Sequence, residues 1–477
     1  MVLHPLVVDL DGTLVRTDML HELALGTLRT SPLDTLRIPF WLSKGKAVLK
    51  RNLSSRVEFD PKSLPYNNEL LAWLRTQKSA GRTLVLCTAS DESVATSIAR
   101  HLDLFDEVIA SDGSTNLAGR HKAEALERRF GRTGFDYAGN SSADLAVWER
   151  ARRAIVVNCS PKLARKAEDV CQVEHVFPAP AAGLKAWAKA LRVHQWLKNV
   201  LLFIPMLAAH ELTSMDTWLA LLLAFVSFSL CASAVYLAND LFDLEADRAH
   251  PRKRLRPFAS GQIPAWMGVV VAPLLVAISV AFGMRVNHGF LGWLGFYFVL
   301  TCAYSWGLKR IVLVDCLALA MLYTVRVVAG AAAAGLALSF WLLAFSVFLF
   351  LSLAFVKRYA ELEIKTASGV EKLHGRGYYT SDAPLIQTLG VTSGYASVVV
   401  LALYLNSDNV IRLYSSPEIM WGAVPVLLFW VSWMWMQAHR GRMHDDPVVF
   451  AVKDRGSLIA GAAFALVLGL GAVGFSW

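Results

Sequence analysis

Charge is scarce in this sequence, and so is cysteine. Charged residues make up 18% of the 477 positions against 55% hydrophobic, and the mean hydropathy is +0.43. That balance excludes an ordinary soluble enzyme, and the length points to two or more domains. The six cysteines, at 87, 159, 171, 231, 302 and 316, follow no metal-ligand spacing and read as reduced or buried thiols. No basic flank precedes the first apolar run, and Asp9 and Asp11 interrupt it, so a signal peptide is not expected there. Acids are outnumbered by bases, giving a formal net charge of +9. Nucleic-acid binding would fit such an excess. Many of the bases lie between apolar runs, however, where lipid headgroups explain them more simply, and no nucleic-acid partner is expected.

The apolar weight is uneven. Residues 1–180 read as a soluble domain, 181–196 as a linker and 197–477 as an all-α membrane bundle. Nine apolar segments are predicted, roughly 197–212, 218–238, 265–284, 289–308, 311–332, 338–356, 387–405, 417–437 and 457–476. The first is short for a span and is interrupted by Pro205. Alternate connections differ in charge. One set carries Arg248, Arg252, Lys253, Arg254 and Arg256, then Lys309 and Arg310, then Lys357, Arg358, Lys365, Lys372 and Arg376, then Arg440, Arg442, Lys453 and Arg455. The other carries only Arg285 and Arg412. The contrast places the first set, and the N-terminal domain, in the cytoplasm. Nine crossings would then put the C-terminus outside.

After the segment "WLALLLAFVSFSLCASAVYLA" comes "NDLFDLEADRAHPRKRLRP", residues 239–257. Asp240, Asp243 and Asp247 are spaced i, i+3, i+7 and would share one face of a continuous helix. Carboxylates that close repel one another unless a cation sits among them. Mg2+ takes oxygen ligands and is typically held by a few carboxylates plus substrate phosphates. Asn239 adds a neutral oxygen. Arg252 and Lys253 would neutralise phosphate, or serve only as a positive-inside loop.

These residues carry a family resemblance. "NDLFDLEAD" resembles the NDxxDxxxD motif of the UbiA superfamily of intramembrane prenyltransferases. "HQWLKN" (194–199) is similar to that family's entry to its first helix, and "YSWGLKR" (304–310), followed by Asp315, to its next motif. Aromatic prenyltransferases of the family carry a second aspartate-rich motif; this chain has "KRYAELE" (357–363) and "GRGYYT" (375–380) instead. That departure, with "DRAHPRKRLRPFASG" (247–261), resembles the decaprenyl-phosphate phosphoribosyltransferases. The resemblance implies Mg2+ as cofactor, phosphoribosyl pyrophosphate as donor, polyprenyl phosphate as acceptor and a bacterial plasma-membrane location. It implies metal ligation by Asn239, Asp240, Asp243 and Asp247. Lys357 and Arg358, with Lys309, Arg310 and Arg376, are candidates for phosphate contacts. Tyr304, Tyr359 and Glu361 are candidates for the sugar pocket, with a second metal as the other reading of Glu361. Asp315 and Arg326 lie within one apolar segment, eleven residues and about three turns apart. Ionisable groups at that depth are costly, so they are candidates too, or else a structural pair. An aromatic acceptor with an isoprenoid diphosphate donor is the alternative reaction. A helical scaffold without chemistry and a transporter are the alternative classes.

The soluble half opens with "LVVDLDGTL" (6–14), a buried strand running into a tight loop. Parallel α/β sheets place their chemistry at such ends. DxDGT resembles the first motif of haloacid-dehalogenase-type hydrolases. The other motifs follow in order: "RTLVLCTAS" (82–90) with Thr88, Lys122, and "FDYAGNSSADLAVWERA" with Asn140 and Asp144. The family implies a Rossmann-like α/β fold in which Asp9 attacks phosphorus, Asp11 serves as acid and base, and Thr88 and Lys122 hold the phosphoryl group. Asp9, Asp11, Asn140 and Asp144 are the implied Mg2+ ligands. Asn140 stands where the family usually has aspartate, which makes Asp144 the main ligand expected there and leaves open a domain that has lost its activity. Ser90 reads as a helix N-cap. About residues 15–78 form an expected small helical cap, whose stretch 19–45 is apolar enough to lean on a membrane. "LKAWAKALRVHQW" reads as a basic amphipathic helix. A phosphatase joined to a phosphoribosyltransferase suggests consecutive steps on one lipid. A homo-oligomeric state is compatible with all of this.

Overall fold

The computed structural model describes residues 3–112, 114–179, 183–367, 369, 371–373, 375–407, 415–443 and 446–473. The hydrolase-like half is built from β1 (Leu6–Val8), α1 (Met19–Thr30), α2 (Lys46–Ser54), α3 (Asn68–Ser79), β2 (Leu84–Asp91), α4 (Glu92–Leu102), β3 (Glu107–Ser111), α5 (Arg120–Phe130), β4 (Asp136–Gly139), β5 (Arg153–Cys159), α6 (Pro161–Val170) and β6 (Gln172–Pro178). The six strands form one sheet in the order β3-β2-β1-β4-β5-β6, parallel throughout. β1 and most of β2 are buried, as expected of central strands covered on both faces. Strand order reverses between β1 and β4, and a doubly wound sheet opens its ligand crevice at that point. β2 extends one residue beyond the expected strand. Asp91, not Ser90, therefore caps α4 by accepting from Ser93 N, and Ser90 is left to face the crevice.

Between β1 and α3 the expected cap is helical. It contains α1, a 3-10 turn Pro32–Arg37, a short helix Ile38–Ser43 and α2. Asp18 starts α1 by accepting from Leu20 N. The linker is shorter in helix than expected: Leu184–Ala190 is α-helical and Val193–Phe203 is 3-10.

The remaining helices are α7 (Met215–Phe242), α8 (Leu244–Ala249), α9 (Ala265–Val286), α10 (His288–Trp306), α11 (Val314–Ala334), α12 (Phe340–Thr366), α13 (Ala383–Leu405), α14 (Ala423–His439) and α15 (Arg455–Val473). Among the described residues seven helices are long and apolar enough to cross a membrane: α7, α9 and α11 to α15, the regions around α13 and α14 counted with the turn before each. The expected count of nine is not met. Segment 197–212 yields only the 3-10 run and a five-residue helix, Ile204–Ala208, because Pro205 lacks an amide donor and favours a helix start. Segment 289–308 does form α10, a 19-residue helix that is not among the seven. All six cysteines are free.

The chain separates into two compact units that do not follow chain order. One joins residues up to Leu191 with Tyr236–Ala272; the other joins Arg192–Val235 with Pro273–Trp477. The aspartate-rich loop thus belongs to the same unit as the hydrolase fold.

Candidate active sites

At the carboxyl ends of β1, β2 and β4 the hydrolase motifs converge. Lys122, in the first turn of α5, donates to Asp9 Oδ1 at 2.6 Å and to the Tyr137 hydroxyl at 3.0 Å. Asp11 accepts from Met19 N at 2.8 Å, from Ser90 Oγ at 2.8 Å and from Thr88 Oγ1 at 3.3 Å. Ser90 is a site residue that its reading as a cap concealed. Burial, with Asp144 and Asp11 nearby, pushes the Asp9 carboxyl up to about 7 despite Lys122. Burial also raises Asp11, with Asp18 adding to it. Burial opposes the Lys122 charge, but Asp9 and Asp144 outweigh it and hold the ammonium protonated. Two buried acids that resist ionisation are suited to accept a cation's charge.

Asp144 is placed differently from expectation. Its Oδ2 accepts from Asn140 N, Ser141 N and Ser141 Oγ, and its Oδ1 accepts from the Tyr137 hydroxyl. Three donors crowd Oδ2 and one reaches Oδ1, so Asp144 braces the turn and keeps acceptor capacity on Oδ1 alone. Asn140 lies against Gly12, where a Cβ would meet its Nδ2 at 2.0 Å, and its Oδ1 accepts from Thr13 at 3.2 Å. Gly12, at φ +74, is required by both the turn and this approach.

In the aspartate loop the shared face forms in part: Asp243 N bonds to Asn239 O and Asp247 N to Asp243 O, and Asp240 and Asp247 reach one partner while Asp243 is exposed. α7 ends at Phe242, Asp243 is an exposed N-cap, and α8 begins at Leu244. Asp240 and Asp247, seven residues apart, share one guanidinium: Arg256 donates to Asp240 at 3.1 Å and to Asp247 at 2.5 Å. Asp247 is 1% exposed, and its other oxygen, Oδ1, is buried without a hydrogen bond; burial raises its pKa although Arg256 opposes this. That oxygen has only the Lys253 ammonium near it, at 3.9 Å, and such a buried carboxylate oxygen without a hydrogen bond would suit a cation. Among the described residues no group of three or more His, Cys, Asp or Glu side chains is assembled as a ready metal site. Arg252 and Lys253 are exposed, with Lys253 3.9 Å from Asp247. Arg256 was not singled out by its place in a basic run.

The second unit holds a buried polar cluster. Arg358 on α12 and Asp315 on α11 are both fully buried and ion-paired. Arg358 also pairs with Glu361, and Tyr378 donates to Asp315. Arg376 lies 3.5 Å from Asp315, 3.6 Å from Glu361 and 3.5 Å from the Tyr304 hydroxyl. Lys357 turns instead to Asp446 at 3.4 Å, a carboxylate shared with Lys198 at 2.7 Å and Tyr323 at 2.7 Å. Burial opposes the Asp446 charge, yet Lys198 and Lys357 hold its pKa well below the usual range. Asp315 and Arg326 are not a pair: Arg326 donates to Asn199 at 2.9 Å and to the Tyr297 hydroxyl at 3.2 Å. Tyr359 meets His439 at 2.9 Å, while Lys309 is partly exposed and Arg310 exposed. Lys198 and Asn199 lie in the quoted HQWLKN stretch. Asp446, far along the chain and in no motif, had no signal.

Residues 200–453 match the UbiA prenyltransferase family, and residues 6–149 match the haloacid dehalogenase-like hydrolases. The uncharacterized protein y4nM of Sinorhizobium fredii is 39% identical over 97% of this chain and 90% of its own length. The decaprenyl-phosphate phosphoribosyltransferase of Mycolicibacterium smegmatis is 33% identical over 56% of this chain and 86% of its own. The structure of a UbiA homolog from Archaeoglobus fulgidus bound to GPP and Mg2+ covers 60% of this chain and 99% of its own, at 14% identity and a TM-score of 0.44.

Proposed function

Since the chain belongs to the UbiA prenyltransferase family and carries a haloacid dehalogenase-like domain, we propose that it moves a 5-phosphoribosyl group from phosphoribosyl pyrophosphate to a polyprenyl phosphate. The hydrolase domain then removes the ribose 5-phosphate, in the making of a cell-wall sugar donor. The observation that carries this reading is the 33% identity to a decaprenyl-phosphate phosphoribosyltransferase over 273 residues. The protein lies in the bacterial plasma membrane, with the basic loops and the hydrolase domain in the cytoplasm.

Asp240 and Asp247, with Asn239 and Asp243 at hand, would hold Mg2+, which would supply positive charge to a leaving diphosphate. Arg256, which bridges the two carboxylates, would offer its fork to the phosphate there. Lys357, Arg358 and Arg376 receive anionic groups, and Asp315 and Glu361 hold the two arginines in place. The acceptor phosphate is already anionic, so no strong protein base is needed. In the hydrolase domain Asp9 attacks phosphorus, with Lys122 and Thr88 screening the charge, and Asp11 passes the proton to the leaving alcohol and takes one from water.

The test uses purified protein with Mg2+, a polyprenyl phosphate and ribose-labelled phosphoribosyl pyrophosphate, followed by mass spectrometry of the lipid. Labelled lipid should appear, together with a product lighter by one phosphate, and both should vanish in EDTA. Folded protein that leaves the lipid unlabelled would return the reading to an aromatic acceptor.

A lipid-borne substrate also explains an exposed cap. Leu33, Leu36 and Phe40 are 81%, 77% and 59% exposed, with Arg37, Lys44 and Lys46 among and beside them. Such a surface suits the lipid interface. Replacing Leu33, Leu36 and Phe40 together by serine should slow turnover of the lipid-linked phosphate in vesicles by about tenfold or more, since each buried side chain contributes ~1.5–3 kcal/mol. Turnover of a soluble aryl phosphate should stay as in wild type. An equal loss on both substrates would mean that the segment only packs the cap.

A further inference from the structure

Within the first compact unit, the hydrolase cap grips the aspartate loop at three places. Arg248, the residue after Asp247, donates to Glu22 of α1 through both terminal nitrogens, at 2.7 and 3.1 Å. The side chains of this pair are 5% and 11% exposed. Arg29, also on α1, pairs with Glu245 at 2.5 Å. At Gly261, with φ +70, a Cβ would lie 2.6 Å from Arg16 Cβ and 2.7 Å from Arg16 O, so the two backbones touch where only glycine fits.

Glu22 is placed to do more than pack. The Arg248 guanidinium, oriented by Glu22, also donates through Nε to Ala259 O at 3.2 Å. It therefore ties the limb bearing Asp247 to the limb bearing Arg256, the residue that pairs with both Asp240 and Asp247. Glu22 is itself oriented by Thr17 Oγ1 at 2.6 Å. α1 begins with Met19 N bonded to Asp11, so one helix runs from the hydrolase site to the aspartate loop. A nearly buried ion pair is weak evidence for stability, but a bidentate arginine–carboxylate fork sets direction.

We propose that Glu22 of the hydrolase cap is a positioning residue for the transferase reaction, acting through Arg248 to hold Asp247 and Arg256 at the spacing that binds the metal–diphosphate. The inference rests on the transferase reading above. It makes the hydrolase domain part of the transferase machinery through its contact with the loop, independently of its own hydrolysis.

Full-length Glu22→Arg, Arg248→Glu and the double exchange are assayed for labelled-lipid formation while phosphoribosyl pyrophosphate and Mg2+ are varied. Each single variant should lose about tenfold or more in kcat/KM, carried by KM for the diphosphate and by the Mg2+ requirement, when assayed well below its own melting temperature, which falls because a nearly buried charge is left unpaired. The exchange should recover most of the loss, since it restores the fork's charge pair. Glu22→Gln, which keeps the shape, serves if Glu22→Arg does not fold, and should raise the same KM severalfold. Wild-type kinetics in the single variants, or an exchange no better than its worse parent, would overturn the proposal. Wild-type protein that forms no labelled lipid would instead overturn the transferase reading.

Discussion

An Asp9→Asn variant should lose dephosphorylation by at least ~1000-fold, as expected when a nucleophile is removed, while ribose label still enters the lipid. The lipid product should then accumulate in its heavier form, with the 5-phosphate retained, visible by mass spectrometry. The two effects separate because Asp9 sits at the end of β1 and its side chain accepts from Lys122, which keeps a second partner in Tyr137. Asparagine matches the volume but does not carry the charge that attacks phosphorus. Loss of both activities in a folded variant would show that the two reactions share one site. Retention of dephosphorylation would remove Asp9 from the chemistry.

Arg358→Met should cost about 3–5 kcal/mol in stability, the range seen when one partner of a buried ion pair is removed. Asp315 is fully buried and would keep only Tyr378, Cys316 N and the more distant Arg376. Glu361 would lose its Arg358 partner as well. Pairing Arg358→Met with Asp315→Asn should recover a large part of the melting temperature in detergent, because the uncompensated charge is gone. Neither variant should restore transfer, since the anion-receiving arginine is missing from both. A single variant that melts like wild type would mean that water or Arg376 compensates Asp315 fully.

Local pattern in the sequence determined a good deal. β1 followed by DxDGT, with Thr88, Lys122 and Asn140 at the ends of later elements, placed the hydrolase crevice because a strand's end and the residue after it are sequence neighbours. Apolar run length located seven spanning helices for the same reason. It overcounted at 197–212, where Pro205 and the 3-10 backbone are decided by geometry along the chain rather than by hydropathy. The aspartate spacing put Asp240 and Asp247 on one face, where Arg256 meets both, but gave no sign that α7 is interrupted at Asp243 and leaves that carboxylate exposed. The pairing of Asp240 and Asp247 on Arg256, of Lys357 with Asp446, of Arg358 with Asp315, and of Glu22 with Arg248 came from tertiary structure alone. Each joins a charge to a partner whose position depends on the path of the chain between them, and a buried charge takes whichever partner that path delivers.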